Sequence, residues 1–383
     1  MNMIPNLKTW VEIDKKAALH NVKTIRGVLK KKIRLYAVVK SNAYGHGLRE
    51  FSLIVNDKVD GFCVDSVYEG ETLRSVGIKK SILVLGPTLS KDEVKLAVEN
   101  NLEITISTFE SLKQIFSIKN IKDCPFFHIK VDTGMHRQGF FPNDIKKVIE
   151  IIKGNDLSGK LRGVYTHFAS AKDVTYPNYT NRQIEEFKKV QVIFKGFGFG
   201  KIMFHACGTG GTVLYPHAHF DMVRVGIGLY GYFPSKESKI QHSLVLKKEI
   251  SFKPVLSWKT KISEIKKLKN GDFVGYDLAE RIKKDTIVSM IPIGYCHGFA
   301  RALSHKGQVL VKGGKCKVVG RVSMDLIIIE CKNLTARVGD VVTIIGKSGS
   351  ETLTADDQME ISDIVYTYEI LTTINPLIKR IVI

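Results

Sequence analysis

The run Tyr36-Ala-Val-Val-Lys40-Ser-Asn-Ala-Tyr44-Gly45-His46-Gly47 ends an apolar, strand-like segment in a lysine. A lysine walled by apolar residues tends to lose its charge and becomes a nucleophile and base. A lone strand-end lysine is otherwise a solvated one. His167 and His205 each close a later strand-like run, and Arg224 lies inside another. Such histidines can be satisfied core residues or can line a site. Arg224 can serve a site or pair with a carboxylate such as Asp221. His205-Ala-Cys-Gly208-Thr209-Gly210-Gly211 is either a plain glycine turn or a phosphate cradle of small residues and backbone N–H groups. Two familiar phosphate patterns fail. Gly226-Ile-Gly-Leu-Tyr-Gly231 matches GxGxxG, but it sits late in the chain with Pro234 close behind. Gly346-Lys347-Ser348 has Val341 where a P-loop needs its first glycine.

These residues need elements to hold them. Eight short apolar runs fall near Leu35–Val39, Gly61–Val64, Ile82–Leu85, Glu103–Ile106, Phe126–Val131, Arg162–Thr166, Ile202–His205 and Met222–Gly226. Helix-like stretches such as Lys91–Asn100, Thr108–Phe116 and Asn181–Phe194 lie between them. Eight βα units predict a (β/α)8 barrel, whose active site gathers at the C-terminal ends of its strands. After about residue 240 the texture turns to strands and tight turns, as at Lys269-Asn270-Gly271-Asp272 and Lys312-Gly313-Gly314. Strand-like runs fall at Pro254–Ile262, Asp272–Val274, Thr286–Ile293, Gln308–Val311, Lys317–Val322, Leu326–Glu330, Asp340–Ile345 and Leu377–Ile383. The expected division is an α/β barrel over residues 1–240 and a mostly antiparallel β domain over 241–383, with residues 8–14 joining the β domain.

The 383 residues carry 58 Lys and Arg against 38 Asp and Glu, a net charge of +20. That excess can mark a nucleic-acid or acidic partner. Here the lysines are scattered along the chain, as solvated lysines are, and no recognition motif accompanies them, so neither nucleic acid nor membrane is expected as a partner. A hydrophobic content of 44% excludes disorder. No apolar run is long enough to span a bilayer, and the first ten residues have no signal-peptide core. Six cysteines, none in CxxC spacing, give no reason to expect a zinc site or other metal. A reduced, cytoplasmic setting is expected.

The AVVKSNAYGHG string around Lys40 resembles the cofactor-lysine signature of the alanine racemases, isomerases that use pyridoxal 5'-phosphate (PLP). The likeness runs from Trp10-Val-Glu-Ile-Asp14 to Tyr368-Glu369-Ile-Leu-Thr372. By that resemblance Lys40 carries PLP as a Schiff base. Tyr44, Thr209, the backbones of Gly226 and Ile227, and Tyr368 hold its phosphate, while His167 and His205 line it. Arg224 faces the pyridine nitrogen. Arginine only donates, so that nitrogen stays unprotonated and the ring is a weaker electron sink. His128-Ile-Lys130-Val-Asp132-Thr-Gly-Met135-His136-Arg137-Gln-Gly139 resembles the segment in which Arg137 contacts the phenolic oxygen and the substrate carboxylate. Lys130 there matches a lysine that is often carbamylated and positions the arginine.

Racemisation needs a base on each face of the α-carbon. The resemblance assigns one to Lys40 and the other to Tyr276, in Val274-Gly-Tyr276-Asp277, entering from the partner subunit of a homodimer with shared sites. Free tyrosine titrates near pH 10, so such a base needs neighbouring positive charge or hydrogen bonds. In Ile291-Pro-Ile-Gly-Tyr295-Cys296-His297-Gly298, Tyr295 bounds the substrate site. In Gly320-Arg321-Val-Ser323-Met324-Asp325, the Met324 backbone holds the substrate carboxylate and Asp325 supports the site. The family usually reads MGRLG, Asn-Ser, YADG and GRVCMD where this chain has His136 and Gln138, Gly208-Thr209, Cys296-His297 and Ser323. The implied function is interconversion of L- and D-alanine, with D-alanine supplied for peptidoglycan. A serine or broad-specificity racemase and a non-catalytic PLP-binding homeostasis protein are the alternatives.

Overall fold

The computed structural model describes residues 6–118, 120–172, 177–246, 249–331 and 336–383. The chain forms two compact units.

One unit comprises Lys16–Ser41 and Phe51–Lys253. Its eight parallel strands close into a barrel in sequence order. They follow a first strand, β1 (Thr9–Ile13), and are β2 (Arg34–Val38), β3 (Gly61–Val64), β4 (Ser81–Pro87), β5 (Glu103–Ile106), β6 (Phe126–Lys130), β7 (Leu161–Tyr165), β8 (Met203–His205) and β9 (Met222–Val225). β3, β5 and β9 are buried at every position, as expected of strands packed on both faces. The helices between them start on side-chain caps. Ser90 accepts from the Glu93 N–H while Glu93 reaches back, and Thr108 with Ser111 repeats the device. The eight runs read from the sequence are these eight strands, shifted at most two residues at an end.

The other unit contains β1, Asn42–Glu50 and Pro254–Ile383. Its strands are β10 (Leu256–Lys261), β11 (Glu264–Leu268), β12 (Phe273–Val274), β13 (Glu280–Arg281), β14 (Thr286–Ile291), β15 (Gln308–Val311), β16 (Gly314–Val319), β17 (Ile327–Glu330), β18 (Val341–Ser348), β19 (Glu351–Leu353) and β20 (Lys379–Val382). The main sheet runs β11-β14-β17-β16-β15-β18-β10-β1-β20, with β19 on β18 and a separate β12-β13 ribbon. Only β1 and β20 pair in parallel; the other pairs run antiparallel. β10 alternates buried and half-buried residues, the signature of a sheet with one covered face. Cys316 and Cys331, facing each other on β16 and just past β17, form a disulfide. The sequence reading had left all six cysteines reduced; cross-strand register, invisible in their spacing, brings these two together.

Among the described residues no helix is long and apolar enough to cross a membrane. Nor does any group of His, Cys, Asp and Glu among them suit a metal ion.

Candidate active site

The barrel unit brings together six of the residues singled out above, all at the C-terminal ends of its strands. Lys40 follows β2, Lys130 ends β6, Arg137 lies in the loop beyond it, His167 follows β7, His205 ends β8 and Arg224 sits in β9. Burial, with the basic side chains of Lys130, Arg224, Arg137 and Lys40 around it, holds the His167 pKa well below the usual histidine value. Lys130 is itself buried and lies 4.3 Å from the centre of the Tyr165 ring. Burial, then the charges of Arg224 and Arg137, keep its amine well below the ordinary lysine pKa against the pull of Asp132. Lys40 departs from expectation. Its side chain is partly exposed and pairs with Asp65 at 2.9 Å, so a carboxylate rather than an apolar wall holds the amine.

Asp132 shapes the loop that carries Arg137. Its Oδ1 accepts from the N–H groups of Gly134, Met135 and His136 at 2.9–3.0 Å, and its Oδ2 accepts from the Arg137 N–H at 3.1 Å. Burial raises the Asp132 pKa, but these N–H groups and His136 outweigh it and leave the carboxyl below its usual value. His136 has φ +55°, a left-handed conformation. That explains the glycine usual at this position, and histidine is among the residues that tolerate it.

Arg224 does not pair with Asp221, whose carboxylate accepts from the Phe204 N–H. Its guanidinium donates to the carbonyls of Thr166 (2.8 Å) and Ala206 (2.9 Å) and to Nδ1 of His205. Thr209 is buried at the start of a short helix, where its hydroxyl accepts from the Gly228 N–H at 3.3 Å. Gly226 and Ile227 lead into that same turn. At Gly208 a Cβ would lie 3.3 Å from the His167 ring; a larger residue there would crowd the histidine.

From Asn42 the chain passes into the β-domain unit, which holds Tyr44, Tyr276, Tyr295, Met324, Asp325 and Tyr368. Ser41 to Tyr44 all have φ between +52° and +54°, a left-handed turn directly after Lys40. Each such residue costs about 1–2 kcal/mol, so the turn needs support. The Asn42 side chain accepts from the Leu48 N–H (2.8 Å), His46 Nδ1–H donates to the Tyr44 carbonyl (2.9 Å) and Arg380 donates to the Gly45 carbonyl (2.8 Å). The Tyr44 and Tyr368 rings lie 5.9 Å apart, and burial, with Tyr44 beside it, pushes the Tyr368 hydroxyl pKa up.

Tyr276, Tyr295, Met324 and Asp325 lie on three adjoining segments. Arg321 pairs with Asp277, the Tyr295 N–H donates to the Ser323 carbonyl and the Cys296 N–H to the Met324 carbonyl, the last two at 3.0 Å. Tyr276 is 67% exposed and Met324 54%, with Phe273, Leu278, Tyr295 and Leu326 also exposed. His297, unusual for the family, accepts the Gly294 N–H at 3.2 Å through Nδ1. It thereby supplies the acceptor that an aspartate would. Its pKa is lowered by burial and by Lys8, against Asp325, which favours the neutral, accepting ring.

Sequence reasoning missed Asp65, Glu103 and His128 as partners of the site. A carboxylate opening the apolar run Glu103-Ile-Thr-Ile106 was the available signal, since such a charge stays buried only with a partner.

An alanine racemase N-terminal domain profile matches residues 13–234, and the corresponding C-terminal domain profile matches 255–382. The chain is 34% identical over 387 residues to an alanine racemase of Leptospira interrogans, covering 100% of this chain and 97% of the relative. It is 35% identical over 378 residues to that of Carboxydothermus hydrogenoformans, covering 97% and 98%. The crystal structure of the Bacillus anthracis alanine racemase with bound L-Ala-P superposes with a TM-score of 0.90 at 32% identity, over 99% of this chain and 96% of that one. With a closed barrel, an antiparallel β domain and both family domains matched in order, the chain belongs to the alanine racemase family.

Proposed function

We propose that the protein interconverts L- and D-alanine with PLP bound through Lys40, providing the D-alanine that such enzymes supply for peptidoglycan. One observation carries the reading: the C-terminal ends of the barrel strands and the loop after β6 carry Lys40, Lys130, Arg137 and Arg224, which all act on His167, with the Arg224 guanidinium 3.5 Å from its Nδ1. This donor set is rich in basic groups and suits an anionic, phosphorylated cofactor. When bound, PLP supplies an electron-withdrawing ring that acidifies the α-proton of an attached amino acid.

The chain's own residues do the rest. Thr209, the Gly226 and Ile227 backbones, Tyr44 and Tyr368 bind phosphate. Arg224 would donate to the pyridine nitrogen and, never giving up its proton, would leave that nitrogen an acceptor. His167 and His205 line the cofactor. Arg137 and the Met324 backbone bind the substrate carboxylate, Asp325 supports that loop and Tyr295 bounds the space for a small side chain. Lys130 positions Arg137; as a neutral amine it can add CO2 with loss of a proton, and the resulting carbamate would hold the guanidinium. The Lys40 amine moves a proton on the D face of the α-carbon and the Tyr276 hydroxyl on the L face. The exposed Tyr276, Leu278, Met324 and Leu326 support delivery of Tyr276 to a second copy of the chain.

The test is chiral chromatography of products formed from L-alanine and L-serine. D-alanine as the main product is expected, and loss of activity in both Lys40→Ala and Tyr276→Phe. If Tyr276 acts in the partner's site, refolding the two inactive variants together restores about a quarter of wild-type activity, because half the dimers then carry one complete site. No restoration would place Tyr276 in its own subunit's site.

A further inference from the structure

From Arg224 and His205 a line of polar side chains continues into the barrel core, to His128 and Glu103, which have no part in the chemistry above. Arg224 donates to Nδ1 of His205. Nε2 of His205 lies 2.9 Å from Nδ1 of His128, and Nε2 of His128 lies 2.9 Å from Oε2 of Glu103. Both histidines are fully buried, and Glu103 and Arg224 nearly so. Gly163 makes room for the His128 ring, since a Cβ there would stand 2.5 Å from its Nδ1. Tyr165 stacks on His205 at 4.8 Å, with rings 4° from parallel, and its hydroxyl is tied to Thr105 at 2.8 Å.

Chemistry gives this line a single direction. A guanidinium can only donate, so Nδ1 of His205 must present its lone pair. In a neutral ring the proton then sits on Nε2, which donates to Nδ1 of His128. The His128 proton is therefore on Nε2 and is donated to the carboxylate. Every bond points from Arg224 to Glu103, and reversing any one sets two donors against each other. Burial, then Arg224 and the other basic neighbours, keep His205 neutral. Burial raises the Glu103 pKa, but the hydrogen bond from His128, with that of Ser81 and the charge of Arg162, more than reverses it, which keeps the carboxylate ionised.

We propose that Glu103 is a positioning residue for the reaction, acting through His128 and His205 to lock the histidine tautomers and so fix the acceptor that holds Arg224. The inference rests on the racemase reading for its effect on turnover, but the lock itself is a property of the protein without cofactor. Arg224 sets the direction at one end; at the other, the buried carboxylate is the acceptor without which the His128 N–H is left unpaired and the arrangement loses its advantage over other tautomers.

The test begins with 15N-histidine NMR of the wild-type apoprotein, in which protonated and bare ring nitrogens are distinguished directly. His205 is expected as a neutral Nε2–H tautomer, and the His128 proton donated to Glu103 is expected on Nε2. A His205 protonated on Nδ1, or doubly protonated, overturns the proposal without any variant. Glu103→Gln keeps an acceptor and is expected to preserve both tautomers, with kcat within about threefold of wild type. Glu103→Leu removes it and is expected to mix the tautomers and lower kcat about tenfold or more with little change in KM. Unchanged tautomers and kcat in Glu103→Leu, or equal losses in both variants, overturn it. A wild-type holoenzyme that forms no D-alanine would sink the functional reading while leaving the tautomer result standing.

Discussion

Gly294 tests whether the Met324 loop belongs to the substrate site. Its backbone is extended (φ −154°), so alanine meets no conformational penalty there. Space is the obstacle. A Cβ would lie 2.2 Å from the Ser323 carbonyl oxygen and 2.3 Å from that of Met324, where ordinary contact begins at 3.4 Å. The two segments must therefore separate by about 1 Å, a shift large enough to cost on the order of 100-fold when it misplaces a binding group. The same separation stretches the Tyr295 and Cys296 N–H bonds to those carbonyls, each worth about 1 kcal/mol. Gly294→Ala is thus expected to lower kcat/KM for L-alanine about 100-fold and stability by about 2 kcal/mol. Gly159→Ala, whose Cβ would meet nothing within 4 Å, serves as the control and should change neither. Steady-state kinetics and urea denaturation read both effects. A Gly294→Ala enzyme with lost stability but intact kcat/KM would remove Met324 from the substrate site. Loss of neither would refute the close approach itself.

Burial pushes the His46 pKa down to about 3, its hydrogen bond to Tyr44 notwithstanding. The unfolded chain takes up that proton below about pH 6.5 while the native ring stays neutral, so stability is full above that pH and falls as the medium becomes more acid. The slope is about 1.4 kcal/mol per pH unit, or about 3 kcal/mol by about pH 4.5; His46→Gln should flatten it in urea titrations, and equal slopes would contradict the assignment. The Cys316–Cys331 disulfide joins residues 15 apart in sequence, so reduction should cost about 3 kcal/mol. Thiol titration of unfolded protein should find four groups before reduction and six after it; six from the outset would exclude the bond. His136→Gly relieves the left-handed histidine and should stabilise the protein by up to about 1 kcal/mol in the same denaturation assay; a loss would show that the His136 ring itself holds the loop.

The barrel was legible because parallel strands buried on both faces read as continuous apolar runs, and Lys40 stood out because its neighbours form a specific string. β11 was not. Its Glu264-Ile-Lys-Lys-Leu268 sequence is mostly exposed at the sheet edge, where charge suits a strand that must not pair further and where a helix or loop reads as well. β12 lies within the run read at Asp272–Val274, but its partner β13 and β19 are short and take their form from the strands they pair with. Among site residues, the sequence indicates types and strand ends but not who faces whom. It left open whether Arg224 pairs with Asp221, and only the folded barrel puts Asp221 on a backbone N–H and His205 on the guanidinium.

The departures from the family's usual motifs follow the same division. His136 and His297 look like substitutions of function when read as letters. In the fold, His136 occupies a left-handed turn capped by Asp132, and His297 supplies an acceptor to the Gly294 N–H. Both preserve local backbone geometry. On the function proposed above, substrate choice between alanine and serine is expected to follow the residues assigned to the side-chain space, Tyr295 foremost, rather than these two histidines. Substituting His297 by aspartate, which restores the family acceptor, should leave the ratio of alanine to serine turnover unchanged. A shift in that ratio would assign His297 a role in selecting substrate that its hydrogen bond does not account for.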